Sequence, residues 1–347
     1  MRILLFLLFF TSLQSQSNYN RLQNLFIEWR KFENPTLLNG APDYTKKGFN
    51  KRKSAFNKLQ KKLNNIDTTN WSKSKQVDWQ IIEAEMNGYD FNYRVLKSWI
   101  RDPAFYQTIW MYQSDVPAHE GPVNHALLEY WQYTFPLNKQ AKEKFHRELA
   151  LIPAFLEQAE QNLTGNARDL WVAGINNLRD QTKHLETIEK TLNEYQDKKK
   201  DKSIFVALQN AKVANNKFIR WLESEAPKKN GPSGIGKENY TWYQQNVHRV
   251  PLTWEEEVQL LQRELDRAWS SLKLEEERNK KLPLMKSADT PNEFKVLTEN
   301  AVKKMMRFLS ENDIMYIKDN MEPALREHMG EYVPKDDRNF FLNWSSL

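Results

Sequence analysis

The chain has 347 residues, a net charge of +6 at neutral pH, 40% apolar residues, 18 Phe, 13 Tyr, 12 Trp and no cysteine. Aromatic side chains bury large areas and fill a sizeable core, so this composition excludes a disordered chain. The absence of cysteine excludes disulfides, thiol nucleophiles, cysteine metal sites and lipid attachment at a cysteine, and the modest, dispersed charge argues against nucleic acid, which needs a concentrated basic face.

The first residues read as an export signal. Arg2 supplies a positive start, Ile3 to Phe10 is an unbroken apolar run, and Thr11 to Ser17 is small and polar. The run falls short of the roughly 20 residues that cross a bilayer as a helix. We expect residues 1–17 to be a signal peptide cleaved near Ser15 or Ser17, and residues 18–347 to be a helical domain. No other stretch reaches transmembrane length, so the expected location is a bacterial periplasm or the secreted fraction, without membrane insertion after cleavage.

Apolar spacing of three and four residues predicts helices around 19–33, 44–65, 72–99, 122–135, 168–197 and 203–224. From Asn138 onward, Ala141, Phe145, Leu149, Ile152, Leu156, Ala159 and Leu163 trace one helical face, and Pro153 predicts a kink or break near Ile152. Lys198 to Lys200 reads as a solvated helix end. Gly231, Pro232, Gly234 and Gly236 punctuate residues 226–239, which reads as a sub-boundary between domains or a functional loop over a cleft. That run follows no strand and lacks the Lys-Ser/Thr ending of a phosphate loop, so a nucleotide cradle is rejected.

Thr253-Trp254-Glu255-Glu256 has capping-box spacing and opens a helix whose apolar stripe is Trp254, Val258, Leu261, Leu265, Ala268 and Leu272. Thr290-Pro291 opens another, with Phe294, Leu297, Ala301, Met305 and Phe308 on one face. The fold class is therefore all-α, an array of long amphipathic helices with little or no sheet.

Candidate chemistry is sparse. His119, Glu120 and His125 are candidate metal ligands, but the two imidazoles are six residues apart with Gly121-Pro122 between them. Zinc binding from a single helix needs histidines at i and i+4, so the segment reads as a turn and a helix start, and a metal there would draw further ligands from elsewhere. Glu143 and His146 match half of a di-metal carboxylate motif whose second half is missing. His184, His248 and His328 stand alone. Glu83 and Glu85, two residues apart, point to different helix faces and read as solvation. The aromatic stretches Trp99 to Tyr112 and Tyr130 to Phe135 read as core, with a peptide or sugar groove as the alternative.

An ordered set of segments carries a family resemblance: Asp102-Pro103-Ala104-Phe105-Tyr106, the run Leu149 to Leu163, Gly236 to Tyr243, Leu252 to Glu256, Arg263 to Arg267, and Arg338-Asn339-Phe340-Phe341. Together, over roughly residues 25 to 341, they resemble the bacterial domain of unknown function 885 family. The resemblance implies an all-helical fold, and for many members a zinc metallopeptidase whose catalytic helix carries a His-Glu-x-x-x-Gly-His type motif in the C-terminal half. No such segment is present here, so no catalytic residue is carried over, and the match resembles the N-terminal half of the family architecture.

The expected function follows: an exported helical protein, peptidase-like in fold and not catalytic by itself, with no cofactor in this chain. Zinc, and a peptide substrate or a C-terminal half as partner, enter only if the architecture continues. Two alternatives stand beside it: an active metal-dependent hydrolase using His119, Glu120 and His125, and an extracellular ligand- or peptide-binding protein.

Overall fold

The computed structural model describes residues 2–113, 126–283, 287–327, 330 and 332–334, with side-chain surroundings from residue 18 onward. The fold is all-α, as expected. Among the described residues the strands amount to two short pairs, antiparallel Leu37–Leu38 (β1) with Ala41–Pro42 (β2), and parallel Ile109–Trp110 (β3) with Leu128–Glu129 (β4). Contacts divide the chain into two compact units, Met1–Gln262 and Arg263–Leu347.

The first unit begins with three helices, α1 (Arg2–Glu33), α2 (Lys46–Asn64) and α3 (Lys73–Phe91). Their apolar faces meet in one buried cluster of Leu22, Leu25, Trp29, Phe56, Leu59, Leu63, Ile82 and Met86. Thr45 and Ser72 start α2 and α3 by accepting from the backbone N–H of Gly48 and Lys75, satisfying amides that have no partner within the helix. Helix α3 does not run to residue 99. It widens into a π-helical turn, Asn92–Leu96, and a short α4 (Ser98–Arg101) follows.

A second cluster is built by α5 (Lys139–Asn162), α6 (Arg168–Tyr195) and α7 (Lys202–Glu225), whose inward faces include Phe145, Ile152, Phe155, Trp171, Leu185 and Phe218. Pro153 does not break α5, which remains helical throughout. The expected stripe is the buried one: Phe145, Leu149, Ile152, Leu156, Ala159 and Leu163 all lie inside, and packing of that face on both sides of Pro153 along the helix outweighs the one lost hydrogen bond. The 3-10 turn Pro103–Tyr106 presses onto α6 at Gly174, where a Cβ would lie 2.8 Å from the backbone N of Ala104. Only a glycine permits that approach.

Residues 126–135 form no helix, contrary to expectation. They pair as β4 and continue into a 3-10 turn, Tyr130–Gln132, because the backbone at Leu127 and Leu128 donates to the Thr108 carbonyl instead of closing helical bonds. The segment 226–239 lies within the first unit and is pinned on two sides. Arg101 donates to the carbonyls of Pro232 and Ser233, and Ser233 Oγ accepts from the backbone N–H of Asp169 at 2.8 Å.

The first unit also contains α8 (Lys237–Tyr243), a second π-helical turn (Gln244–His248), and the start of α9 (Trp254–Asn279). The predicted capping box opens α9: Thr253 N–H donates to Glu256 Oε2 at 2.8 Å, and Glu256 N–H donates back to Thr253 Oγ1 at 3.2 Å. The second unit holds the rest of α9, α10 (Pro291–Glu311) and α11 (Met321–Glu327). Thr290 caps α10, and Tyr332 donates to the Asp289 carbonyl. The apolar faces read from the sequence exist on α9 and α10, but Leu261, Leu265, Leu272, Met305 and Phe308 are exposed. Periodicity shows that a face is apolar and says nothing about what covers it.

Candidate functional site

The two π-helical turns pack against each other's helices and form the most distinctive local structure in the first unit. A π turn inserts one residue into a helix, re-aims the side chains beyond it, and recurs at functional sites. Here Lys97 N–H donates to Asn92 O at 2.7 Å, and Arg249 N–H donates to Gln244 O, each five residues back. Both turns end on a non-glycine residue in the left-handed region, Lys97 at φ 49° and Arg249 at φ 59°. Such residues persist where surrounding contacts over-determine them.

Those contacts are visible. Phe91, at the end of α3, is buried and stacks on Trp242 at 5.6 Å with planes 8° apart, and meets Tyr243 at 4.8 Å. The Arg94 guanidinium covers the same Trp242 ring at 5.3 Å. Asn87 Nδ2 donates across the seam to Asn246 O at 3.1 Å, partnering a carbonyl within the second π turn. Arg249 then reaches back onto α3, donating through Nη2 to the Gln80 carbonyl and to Glu83.

Between α3 and the second π turn lies a cleft of about 570 Å³, lined by Val77, Gln80, Ile81, Ala84, Glu85, Val247, His248 and Arg249. Its size falls in the roughly 300–1,000 Å³ range of small-ligand sites. His248 sits at the mouth with its ring edge-on to Tyr243, 4.9 Å between centroids. Glu85 is 10% exposed and accepts from Trp29 Nε1 and Arg30 Nη2, both at 2.8 Å. Glu83 and Glu85 are thus structural partners of cations and an indole, not solvating groups. Two smaller clefts lie elsewhere, one of about 420 Å³ including His146 and Lys202, another of about 410 Å³ including Lys237 and Trp242.

Asp90 stands beside the first π turn. Burial works against its ionisation, but Lys53 Nζ and Arg94 Nε, each at 2.5 Å, outweigh that and hold the carboxyl below its ordinary value. A depressed folded-state pKa contributes stability that is present above the unfolded value of about 3.9 and is lost as pH falls through the folded value. In denaturant titrations across pH, Asp90→Asn should therefore be less stable than the parent at neutral pH, and the gap should close in acid. A gap unchanged at the lowest pH would mean that these ion pairs contribute nothing.

The sequence-derived metal candidates His119, Glu120 and His125 lie outside the described residues, as does His328. Glu143 is exposed beside buried Phe145, and His146 lines a shallow cleft. His184 is half-buried, and burial lowers its pKa. Among the described residues, no group of three or more His, Asp or Glu is placed to hold a metal. His248, read from the sequence as isolated, is the histidine that the fold carries to the α3–α8 cleft. Arg249 went unnoticed as well. The available signal was the aromatic run Tyr240 to Tyr243 followed by a polar stretch ending at Pro251.

A family profile described as bacterial protein of unknown function (DUF885) matches residues 38–338. The chain belongs to this family. No curated protein matches it. A solved structure, that of a candidate lipoprotein of unknown function from Shewanella oneidensis, aligns with a TM-score of 0.55 at 15% identity. The alignment covers 88% of this chain and 58% of that one, and at such identity the likeness is one of fold. The DUF885 segments recognised in the sequence have physical roles here. Asp102 to Tyr106 is the turn pressed onto α6, Leu149 to Leu163 is the buried face of α5, Gly236 to Tyr243 is α8, and Thr253 to Glu256 is the α9 cap. Arg338 to Phe341 lies outside the described residues.

Proposed function

We propose that this DUF885 chain is exported and serves as the helical, peptide-recognising part of a metallopeptidase-like architecture, with the α3–α8 cleft as its binding wall and without hydrolytic activity of its own. The observation that carries this reading is the cleft itself, where Val77, Ile81, Ala84 and Val247 form an apolar wall beside the polar groups of Gln80, His248 and Arg249. A zinc peptidase needs three protein ligands around an activated water. The described residues place no such donor set together, and what they offer is positioning.

Export is supported by the sequence itself: Arg2, the apolar run Ile3 to Phe10 and the small polar stretch Thr11 to Ser17 have the layout of a signal peptide. Among the described residues, no helix is long and apolar enough to cross a membrane.

The test is to purify the protein from the exported fraction of its own cells, then measure intact mass, zinc content and hydrolysis of a mixed peptide library. The expected product lacks residues 1–17, carries far less than one zinc per chain and leaves the peptides uncut. One zinc per chain together with hydrolysis would overturn the non-catalytic assignment. In that event His125→Ala decides whether His119, Glu120 and His125 form the site, since it should abolish metal and activity together.

A further inference from the structure

The hydrogen-bond inventory of the α3–α8 cleft is lopsided. The carboxylates in and beside it are engaged, Glu85 by Trp29 and Arg30, and the neighbouring Glu83 by Arg249. Its donors are not. Arg249 spends only Nη2, on Glu83 and the Gln80 carbonyl, which leaves Nε and Nη1 uncommitted. His248 makes a ring contact with Tyr243 and has no hydrogen-bond partner among the described residues, and the exposed Gln80 side chain is likewise uncommitted. Unused charged and polar donors above an apolar surface recognise an acceptor-rich, negatively charged end attached to an apolar body.

The apolar surface is short. Val77 to Ala84 spans two helical turns, about 10 Å at 1.5 Å per residue, and Val77 and Ile81 present about half of their surface to solvent. That length suits about three extended residues at roughly 3.3 Å each, and a long acyl chain overruns it. We propose that the cleft binds the free carboxylate end of a peptide whose last residue is apolar. The carboxylate sits on the unused guanidinium edge of Arg249, with His248 as a second donor, and the terminal side chain lies on Val77, Ile81 and Val247. This deepens the peptide-recognition reading above and rests on it. The left-handed backbone at Arg249 has a role in this picture, because it turns the guanidinium back over α3 instead of letting it continue along the helix.

The probe is acetyl-Ala-Ala-Leu, prepared as the free acid and as the C-terminal amide, titrated calorimetrically into the full chain with sodium dodecanoate as a third ligand. The acid should bind saturably without added metal, and the amide at least tenfold more weakly. Arg249→Gln should weaken the acid about 10- to 100-fold, the loss expected for one charged hydrogen-bonding partner, and so narrow the difference between acid and amide. Ile81→Ser should weaken both, and the acid–amide comparison on the parent chain stands even if a variant folds poorly. Equal binding of acid and amide would overturn the carboxylate site while leaving peptide recognition in place. Tighter binding of dodecanoate than of the acid would assign the cleft to lipid and overturn the proposal. Failure of both peptides to bind would overturn it as well, and the zinc and hydrolysis measurements would then judge the broader reading separately.

Discussion

A Gln181→Leu chain should lose about 4 kcal/mol of stability, a large fraction of the roughly 5–15 kcal/mol that holds a domain together. Gln181 is fully buried on α6. Its Oε1 accepts from the backbone N–H of Thr108 at 2.7 Å and of Ile109 at 3.2 Å, and its Nε2 donates to Asn215 Oδ1 at 2.8 Å. Asn215, also fully buried, donates in turn to the Leu178 carbonyl and to Thr182 Oγ1. One side chain therefore completes the bonding of two amides at the edge of β3 and ties α6 to α7. Leucine matches its size but leaves three buried polar groups unpaired, each costing about 1–3 kcal/mol, against a gain of about 1 kcal/mol from added apolar burial. Urea unfolding of the variant measures the difference. The Asn215→Leu partner should show coupling, so that the double variant loses less than the sum of the two single losses. A Gln181→Leu loss below about 1 kcal/mol would mean that β3 is anchored by its apolar side chains alone.

Such pairs explain what was legible in the sequence and what was not. Periodicity located α2, α5, α6 and α7 to within a few residues, because each buries a continuous stripe, and the stripe is a local property of the chain. Thr253 and Glu256 were readable for the same reason, as a capping box is complete within four residues. Gln181 and Asn215 were not readable, since a polar residue inside an apolar stripe shows its partners only after the chain has folded. The π turns were hidden too: one inserted residue shifts the pattern of α3 by less than the scatter of an ordinary amphipathic helix. The α3–α8 cleft joins residues about 170 positions apart, so the pairing of Glu83 with Arg249 had no local signature. The exposed stripes of α9 and α10 are the converse case, where the local signal was strong and the burial it suggested is absent from the described residues.

Arg52→Glu should be comparably damaging, with an expected loss of about 3–5 kcal/mol, the cost of a buried charge without compensation. Arg52 on α2 is 9% exposed. Its Nη2 donates to the carbonyls of Phe32 at 2.9 Å and Glu33 at 3.2 Å, the last residues of α1, and its guanidinium lies 5.0 Å from the Phe32 ring and 5.6 Å from the Tyr89 ring. The C-terminal end of a helix carries partial negative charge, and its last carbonyls have no partner within the helix. A cation with two donors and a flat face answers all three needs at once. Glutamate reverses each: it repels the helix end, cannot donate to the carbonyls, and faces the electron-rich surfaces of two rings. Arg52→Lys should cost less, because the charge remains while the planar fork is lost. Arg52→Met should fall between them, since it leaves the carbonyls unpaired without adding a repulsive charge. Burial already raises the Tyr89 phenol above its ordinary value, and Arg52 pulls it back in part, so in any variant that still folds the phenol should titrate higher once the cation is gone. The ranking of Lys, Met and Glu in urea midpoint is the decisive readout. If methionine is the best tolerated of the three, Arg52 holds α1 to α2 through packing alone.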